Sequence, residues 1–136
     1  MKIAKEFRWE MGHRLTFHKG KCKNLHGHSY KCLIEVTGEI DKNGMVIDYY
    51  DLSTIINPVI EELDHSIMVY REDKELLSAL EILNSKKVVV NFESTAENIC
   101  LYLIEKIKPN LPSHIKFIKV KVFETENTYA EEEASL

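Results

Sequence analysis

The N-terminal stretch I-A-K-E-F-R-W-E-M-G-H, residues 3–13, places its large apolar side chains on odd positions. An apolar residue at every second position is typical of a β-strand that is buried on one face. His13 continues the odd parity. We therefore predict a half-buried strand that carries His13 on its apolar face.

Two further stretches alternate in the same way. They are Y-K-C-L-I-E-V-T-G-E, residues 30–39, and H-I-K-F-I-K-V-K-V-F-E-T, residues 114–125. Both predict strands. His26 and His28 share the parity of the apolar residues in the first stretch, and Glu124 shares it in the second. The tail T-Y-A-E-E-E-A-S-L is expected either to return as a final strand or to fray.

Two segments have the period of a helix. The first covers residues 52–63, with Asp51 as its expected N-cap and Pro58 as a residue that should kink or shorten it. The second, S-T-A-E-N-I-C-L-Y-L-I-E-K-I-K, opens with a predicted capping box from Ser94 to Glu97. Between them, E-D-K-E-L-L-S-A-L-E-I-L and K-K-V-V-V-N-F indicate a short helix and a short strand.

The order of these elements indicates an α+β fold. We expect an antiparallel sheet of three or four strands with the two main helices on one face. A length of 136 residues suits one core, so residues 1–136 are predicted to form a single domain. Such a small sheet leaves one face and its edges uncovered, and we therefore expect the chain to form homo-oligomers.

Composition and charge argue against several classes of partner. The chain has 18 Lys plus Arg against 22 Asp plus Glu and no basic run, so nucleic acid is not an expected ligand. The longest apolar run, residues 99–104, is far too short to span a bilayer, and no signal-peptide pattern is present. We expect a cytoplasmic protein without a membrane partner. Its three cysteines lack C-x-x-C spacing and are expected to be free, with Cys32 and Cys100 in the core.

The stretch C-K-N-L-H-G-H, residues 22–28, concentrates one thiol and two imidazoles. Side chains at i and i+2 of a strand point the same way, and a hairpin partner would bring His13 beside His26 and His28. Three neutral imidazoles with an open fourth position are the usual ligands of catalytic zinc, so we predict a zinc site. Cys22 is then either a fourth ligand of a structural site or a base beside the metal, and the spacing leaves both open.

Other polar residues are candidates for catalysis or binding. Asp64 and His65, in L-D-H, suit either a pair that orients a base or an ordinary helix end with a favourable histidine. Glu124 lies on an apolar parity and needs a partner, which a ligand with adjacent N–H donors would supply. His18 and His114 have no such context and are expected to be ordinary loop histidines.

Six segments occur in order over nearly the whole chain: F-R-W-E-M-G-H-R-L, C-K-N-L-H-G-H-S-Y, G-M-V-I-D-Y, L-D-H, S-T-A-E-N and V-F-E-T. Together they resemble the 6-pyruvoyl-tetrahydropterin synthase / 6-carboxytetrahydropterin synthase family. The resemblance implies the tunnelling fold, in which a four-stranded antiparallel sheet with two helices trimerises into a barrel. Two such trimers commonly stack into a hexamer.

The resemblance also implies a metal and a base. Zn²⁺ would be held by His13, His26 and His28, and would bind the side-chain hydroxyls of 7,8-dihydroneopterin triphosphate. Cys22 would accept the carbon-bound proton next to those hydroxyls. A branch of the family with glutamate in place of the cysteine is disfavoured by Cys22, and a zinc nucleobase deaminase is disfavoured because no P-C-x-x-C is present.

The remaining matches to the family complete the implied site. Asp64 and His65 match a relay pair that lies across a subunit interface from the catalytic cysteine. Glu124 matches the carboxylate that anchors the pterin ring, and Thr95 matches a second pterin contact.

Two departures from the family pattern stand out. Ser94 occupies a position where proline is usual, and residues 66–92 form a longer stretch than in the shortest members.

The compact length and the short gap between His13 and Cys22 favour the 6-carboxytetrahydropterin synthase branch of the family. That branch cleaves the side chain to release acetaldehyde and triphosphate, and supplies queuosine and other deazapurines. One alternative is the 6-pyruvoyl-tetrahydropterin synthase branch, which keeps the three-carbon side chain for biopterin. Another is a non-catalytic module that binds zinc or pterin.

Overall fold

The computed structural model describes residues 1–136, which form six strands, three α-helices and two short 3-10 turns. In chain order the strands and α-helices are β1 (Lys2–His13), β2 (His26–Gly38), α1 (Tyr49–Leu63), β3 (Ser66–Tyr70), α2 (Lys74–Leu83), β4 (Lys87–Val90), α3 (Ala96–Ile107), β5 (Ile115–Thr125) and β6 (Thr128–Ser135). The 3-10 turns cover Lys21–Lys23 and Lys108–Asn110. No helix is long and apolar enough to cross a membrane.

All six strands belong to one sheet, in the order β4-β3-β1-β2-β5-β6. The pairs β1-β2, β2-β5 and β5-β6 are antiparallel, which matches the predicted sheet and includes the tail as its last strand. The pairs β1-β3 and β3-β4 are parallel. The α+β class is therefore confirmed, but the predicted three or four strands were too few and the sheet is mixed.

Helices α1 and α3 cover one face of the sheet and enclose the main core. The odd residues of β1 and the even residues of β2 are buried against this pair of helices. Leu52 and Ile56 of α1 and Ile99 and Leu103 of α3 are fully buried there. The two alternating patterns and the two helical stripes thus meet in one core, as the sequence indicated.

Helix α2 lies on the opposite face of the sheet. Met68 of β3 belongs to the main core, whereas its neighbour Val69 packs with Leu76 and Leu80 of α2 in a separate small cluster. Successive side chains of a strand point to opposite faces, so α2 and the two main helices are on different sides. The crossover β3-α2-β4 accounts for the long stretch that follows L-D-H.

The start of α1 differs from the prediction. Asp48, rather than Asp51, is the N-cap, and its side chain accepts a hydrogen bond of 2.6 Å from the Tyr50 amide. Asp51 lies in the first turn, where a carboxylate is favoured by the helix dipole. Pro58 does not shorten the helix, which continues to Leu63.

The start of α3 also differs. Thr95, rather than Ser94, is the N-cap, and its Oγ1 accepts a hydrogen bond of 3.2 Å from the Asn98 amide. The predicted capping box from Ser94 to Glu97 was therefore wrong by one residue. Ser94 is instead buried, because its side chain points into the site described next.

Candidate active site

The end of the β1-β2 ladder brings three histidines together on the core face of the sheet. His13 pairs directly with His26 as the last pair of the ladder, and His28 stands opposite Met11. The ring centroid of His13 is 4.8 Å from that of His26 and 5.2 Å from that of His28. One potential ligand atom from each histidine lies within 4.8 Å of the others. The predicted convergence of these three residues is thus observed.

The hydrogen bonds of the His13 and His26 rings engage Nδ1 and leave Nε2 free. His13 Nδ1 is 2.8 Å from the carbonyl oxygen of Ser94 and 3.1 Å from its Oγ, and His26 Nδ1 is 2.6 Å from the carbonyl oxygen of Asn24. A carbonyl only accepts, so both Nδ1 atoms carry the hydrogen and both Nε2 atoms carry a lone pair. The Nε2 atoms of His13, His26 and His28 are buried and have no hydrogen-bond partner.

Burial favours the neutral forms of His13 and His28 by lowering the pKa of each. It lowers the pKa of His13 to about 4, against the opposing effect of the Ser94 carbonyl and with a further contribution from the other two rings. Burial also lowers the pKa of His28, although the negative charge of Glu124 opposes this shift. Neutral imidazoles are the form that binds metal. Three buried Nε2 atoms without hydrogen-bond partners therefore fit a metal ion at this point.

Glu124 stands at the rim of the cluster. Its Oε1 is 3.5 Å from His28 Nε2, and its side chain is 23% exposed. Val120 and Val122, which precede it on β5 with the same parity, are buried in the core. Glu124 therefore places a partly accessible carboxylate beside the histidines, where it can accept hydrogen bonds from a bound molecule.

Cys22 lies in the loop that connects the two histidine-bearing strands. It occupies the 3-10 turn Lys21–Lys23, is partly exposed and is a free thiol. The cluster of candidate ligands contains the three histidines without Cys22. Cys32 and Cys100 are buried as predicted, and burial raises the pKa of Cys32 to about 12 and that of Cys100 to about 11. Cys22 is thus the accessible thiol of the chain.

Asp64 and His65 form a pair directly after α1. Asp64 Oδ1 is 3.0 Å from His65 Nδ1 and accepts a hydrogen bond of 2.9 Å from the Glu10 amide, which is the main reason that the pKa of Asp64 is lowered. His65 has a left-handed backbone with φ of 58° and donates its own amide to the Glu10 carbonyl. These bonds hold the pair against β1.

His65 lies outside the cluster of candidate metal ligands in its own chain. Its side chain is 77% exposed and lines a cleft of about 360 Å³ together with Glu10, His28 and Ser29. Glu10 and Ser29 have the parity opposite to that of the core residues, so the cleft opens on the face away from α1 and α3. Within one chain, His65 therefore lies at a cleft on this opposite face, and His28 is the member of the cluster that also lines it.

Thr95 and Ser94 have different roles at the start of α3, since Thr95 caps the helix and Ser94 contacts His13. The Oγ1 of Thr95 caps the helix, which leaves its hydroxyl hydrogen available to a bound molecule. Ser94 contacts His13 through both its carbonyl and its hydroxyl, and sequence reasoning missed this contact because it assigned Ser94 to the cap. The one signal of this contact in the sequence was Ser94 itself, because the family that the sequence resembles usually has proline at this position.

Comparisons with known proteins identify the family to which the chain is related. A family model described as 6-pyruvoyl tetrahydropterin synthase matches residues 2–135. The chain is 36% identical over 138 residues to the 6-carboxy-5,6,7,8-tetrahydropterin synthase of Haemophilus influenzae, with 96% of each chain covered. It is 32% identical to the protein of that name from Aquifex aeolicus, with 95% of each covered. The solved 6-pyruvoyl tetrahydropterin synthase of Caenorhabditis elegans is 26% identical, with a TM-score of 0.73 over 99% of this chain and 96% of that one.

The fold and these full-length matches define an enzyme of the lyase class. The chain belongs to the 6-pyruvoyl tetrahydropterin synthase family.

Proposed function

We propose that the chain is a zinc-dependent 6-carboxytetrahydropterin synthase. It would convert 7,8-dihydroneopterin triphosphate and water to 6-carboxy-5,6,7,8-tetrahydropterin, acetaldehyde and triphosphate. The observation that carries the proposal is the cluster of three buried Nε2 atoms without hydrogen-bond partners, beside an accessible thiol loop. Relatives at 32 to 36% identity over nearly the whole chain bear the 6-carboxy name, which supports this product.

The donor set suits zinc. Three imidazoles leave a tetrahedral zinc ion with one open position, as in catalytic rather than structural sites. The carbonyl groups of Ser94 and Asn24 fix the tautomers of two rings, which is the usual arrangement around metal-bound histidines. When bound, zinc supplies a Lewis acid that makes a carbon-bound proton next to a coordinated hydroxyl more acidic.

Cys22 is proposed as the base that accepts this proton. Its thiol lies outside the ligand set and on a loop that begins next to His13 and ends next to His26. A base must come within hydrogen-bond reach of the proton that it removes, directly or through one water. A loop anchored at both ends on the ligand strands can bring the thiol to that position.

Glu124 and Thr95 are proposed as contacts of the pterin ring. A carboxylate accepts two parallel N–H bonds, and the amidine-like edge of a pterin offers two adjacent donors. The position of Glu124 beside His28 would then place the side chain of the pterin over the cluster. The Thr95 hydroxyl would donate a second, weaker bond.

Asp64 and His65 are proposed to act on Cys22 of a neighbouring subunit. The support for this is that the His65 side chain is 77% exposed and lies outside the ligand cluster of its own chain, at a cleft on the face away from α1 and α3. We propose a homotrimer or homohexamer in the cytoplasm, in which one protomer presents this pair to the next. The product would enter the synthesis of queuosine and other deazapurines.

The alternative product is 6-pyruvoyl-tetrahydropterin. The name of the matching family model and that of the Caenorhabditis elegans structure favour this alternative. A non-catalytic module with the same fold would bind zinc and pterin without turnover.

The proposal is tested by Cys22→Ala, with Lys21→Ala in the same turn as the matched control. Turnover of 7,8-dihydroneopterin triphosphate should fall by about 100-fold or more in Cys22→Ala, because a positioned base contributes at least that much. Metal analysis should still find close to one zinc per chain. Zinc lost together with activity would make Cys22 a structural ligand, and a wild type with full zinc but no turnover would support the binding module.

A further inference from the structure

The loop that carries Cys22, residues 14–25, has few bonds of its own. The Leu15 amide donates to the Cys22 carbonyl at 2.9 Å, and the other backbone bonds join residues three apart. Most of its side chains are exposed, including the large apolar Phe17 and Leu25. The loop therefore has no core that fixes its position, and contacts with other parts of the chain must do so.

A bidentate ion pair ties the first residue of the loop to the crossover segment. Arg14 Nε and Nη2 donate to Asp73 Oδ2 and Oδ1 at 2.7 and 2.6 Å. The Asp73 side chain is only 5% exposed and that of Arg14 is 25% exposed. A paired guanidinium and carboxylate with two parallel bonds fix orientation as well as distance. Asp73 thus holds the backbone next to the ligand His13.

A second carboxylate holds the loop two residues further on. The amide of Thr16 donates to Glu93 Oε2 at 3.2 Å, and the Thr16 hydroxyl donates to Glu93 Oε1. Glu93 directly precedes Ser94, whose carbonyl bonds to the ring of His13. The Glu93 carbonyl also accepts a bond of 2.9 Å from the Asn98 side chain, which fixes Glu93 to α3.

Both carboxylates belong to residues 66–93, the stretch made of β3, α2, β4 and the turn before α3. Asp73 lies at the start of α2, and Glu93 is the last residue of the stretch. The two carboxylates therefore contact the loop at two separate points, Arg14 and Thr16. The Arg14–Asp73 pair is also part of the wall of a cleft of about 530 Å³ between the loop and the turn before α2. Residues 66–93 therefore contact the Cys22 loop directly and are more than an insertion after L-D-H.

We propose that residues 66–93 are a brace for the Cys22 loop, with Asp73 and Glu93 as positioning residues that set where the thiol stands relative to the histidine cluster. The inference rests on the proposed role of Cys22 as the base. Loss of this brace should slow the chemical step, because the base is displaced while the metal ligands and the pterin contacts stay in place.

The first test is Asp73→Asn. Asparagine is as good an N-cap as aspartate, so α2 keeps its start while the charge that holds Arg14 is removed. Hydrogen exchange of the peptide covering the loop, including the Leu15 and His18 amides, should become faster by roughly tenfold, as expected for an easier local opening. Glu131→Gln, which breaks the Lys119–Glu131 pair on β5 and β6, is the matched control and should leave this peptide unchanged.

The second test separates positioning from stability. In Asp73→Asn, kcat should fall roughly 10- to 100-fold, as a misplaced catalytic group does, while KM and zinc content stay near the wild-type values. Arg14→Gln combined with Asp73→Asn should be no worse than the worse single variant, because both break the same contact. Glu93→Gln provides an independent variant on the opposite side of the loop and should move exchange and kcat in the same direction.

Two results would overturn the brace. One is loop exchange and kcat within about twofold of wild type in both Asp73→Asn and Glu93→Gln, which is less than a lost positioning contact produces. The other is a loss of kcat that follows zinc content while loop exchange is unchanged. Hydrogen exchange of the loop is measured without substrate. A wild type without turnover would therefore refute the proposed function, and the exchange rates of the variants would still test whether Asp73 and Glu93 hold the loop.

Discussion

Ser94 shows how one residue at a helix start changes the chemistry of another. Its carbonyl and hydroxyl both face Nδ1 of His13, and the helix is capped by Thr95 instead. The carbonyl alone is sufficient to fix the tautomer of His13, because it can only accept. The hydroxyl adds a second acceptor for the same hydrogen and fills the space beside the ring.

For this reason we predict that Ser94→Ala weakens zinc binding, but by no more than about tenfold, the lower end of the range for lost partners of metal ligands. Competition with a chromogenic chelator would measure it. The exposed Ser78→Ala on α2 is the control and should leave affinity unchanged. A loss of 100-fold or more in Ser94→Ala would show that the carbonyl does not hold the ring.

Asp73 gives a prediction with a definite pH dependence. The hydrogen bonds from Arg14 hold the pKa of Asp73 below its ordinary value of 3.8. A carboxyl whose pKa is lower in the folded state stabilises the fold above its unfolded pKa, and that contribution disappears as the pH falls through the folded pKa.

Urea unfolding should therefore find Asp73→Asn less stable than wild type by about 2 kcal/mol at pH 7, the scale of hydrogen bonds to a charged group. The difference should be constant down to about pH 5, shrink as the pH falls below the ordinary value of 3.8 and vanish once the pH is below the folded-state pKa of Asp73. An equal difference at pH 7 and at the acid end would mean that the carboxylate charge contributes nothing.

At the scale of elements, the strands that alternation predicted are those with one face more exposed than the other. Alternation located β1, β2 and β5, because their odd and even residues meet different surroundings. Strand β3 was missed, because S-I-M-V-Y is covered by α2 on one side and by the main core on the other. A short run that is apolar on both faces has no period that distinguishes it from other buried segments.

The candidate site could be predicted in part, and the reasons are related to those for the strands. Shared parity placed His13, His26 and His28 on one face, and a hairpin is enough to join them. The contacts of Ser94 and Asp73 were not predictable, because they connect residues 81 and 59 positions apart through a crossover whose first strand, β3, no local pattern specified.

The small cluster under α2 predicts where this crossover is fragile. Leu80 is 2% exposed and packs on Val69, whereas Leu83 of the same helix is 72% exposed. Leu80→Ala should cost about 2–3 kcal/mol of unfolding free energy in urea, as a buried leucine does. Leu83→Ala is the matched control and should stay within about 0.5 kcal/mol of wild type. Equal costs at the two positions would contradict the packing of α2 on β3.

At the scale of the molecule, the sheet is covered unevenly. Helices α1 and α3 cover one face along most of its length, whereas α2 covers only the β3-β4 end of the other. The uncovered face carries His65 at the mouth of its cleft. This arrangement suits a site that is completed by a second copy of the chain.

Mixing subunits tests that arrangement. Cys22→Ala and His65→Ala should each be inactive alone, but a co-assembled 1:1 mixture should recover activity in about one quarter of its sites, because random assortment pairs an intact Cys22 with an intact neighbouring His65 that often. The mass of the complex, measured by light scattering, should correspond to three or six chains. A mixture as inactive as its components would place both groups in one chain or outside catalysis.

The most direct test of the central claim is the identity of the product. Purified, zinc-loaded protein is incubated with 7,8-dihydroneopterin triphosphate, and the pterin and any acetaldehyde are identified by mass spectrometry. We predict 6-carboxy-5,6,7,8-tetrahydropterin with an equal amount of acetaldehyde. A pterin that keeps its three-carbon side chain, without acetaldehyde, would contradict the account and assign the chain to the 6-pyruvoyl product.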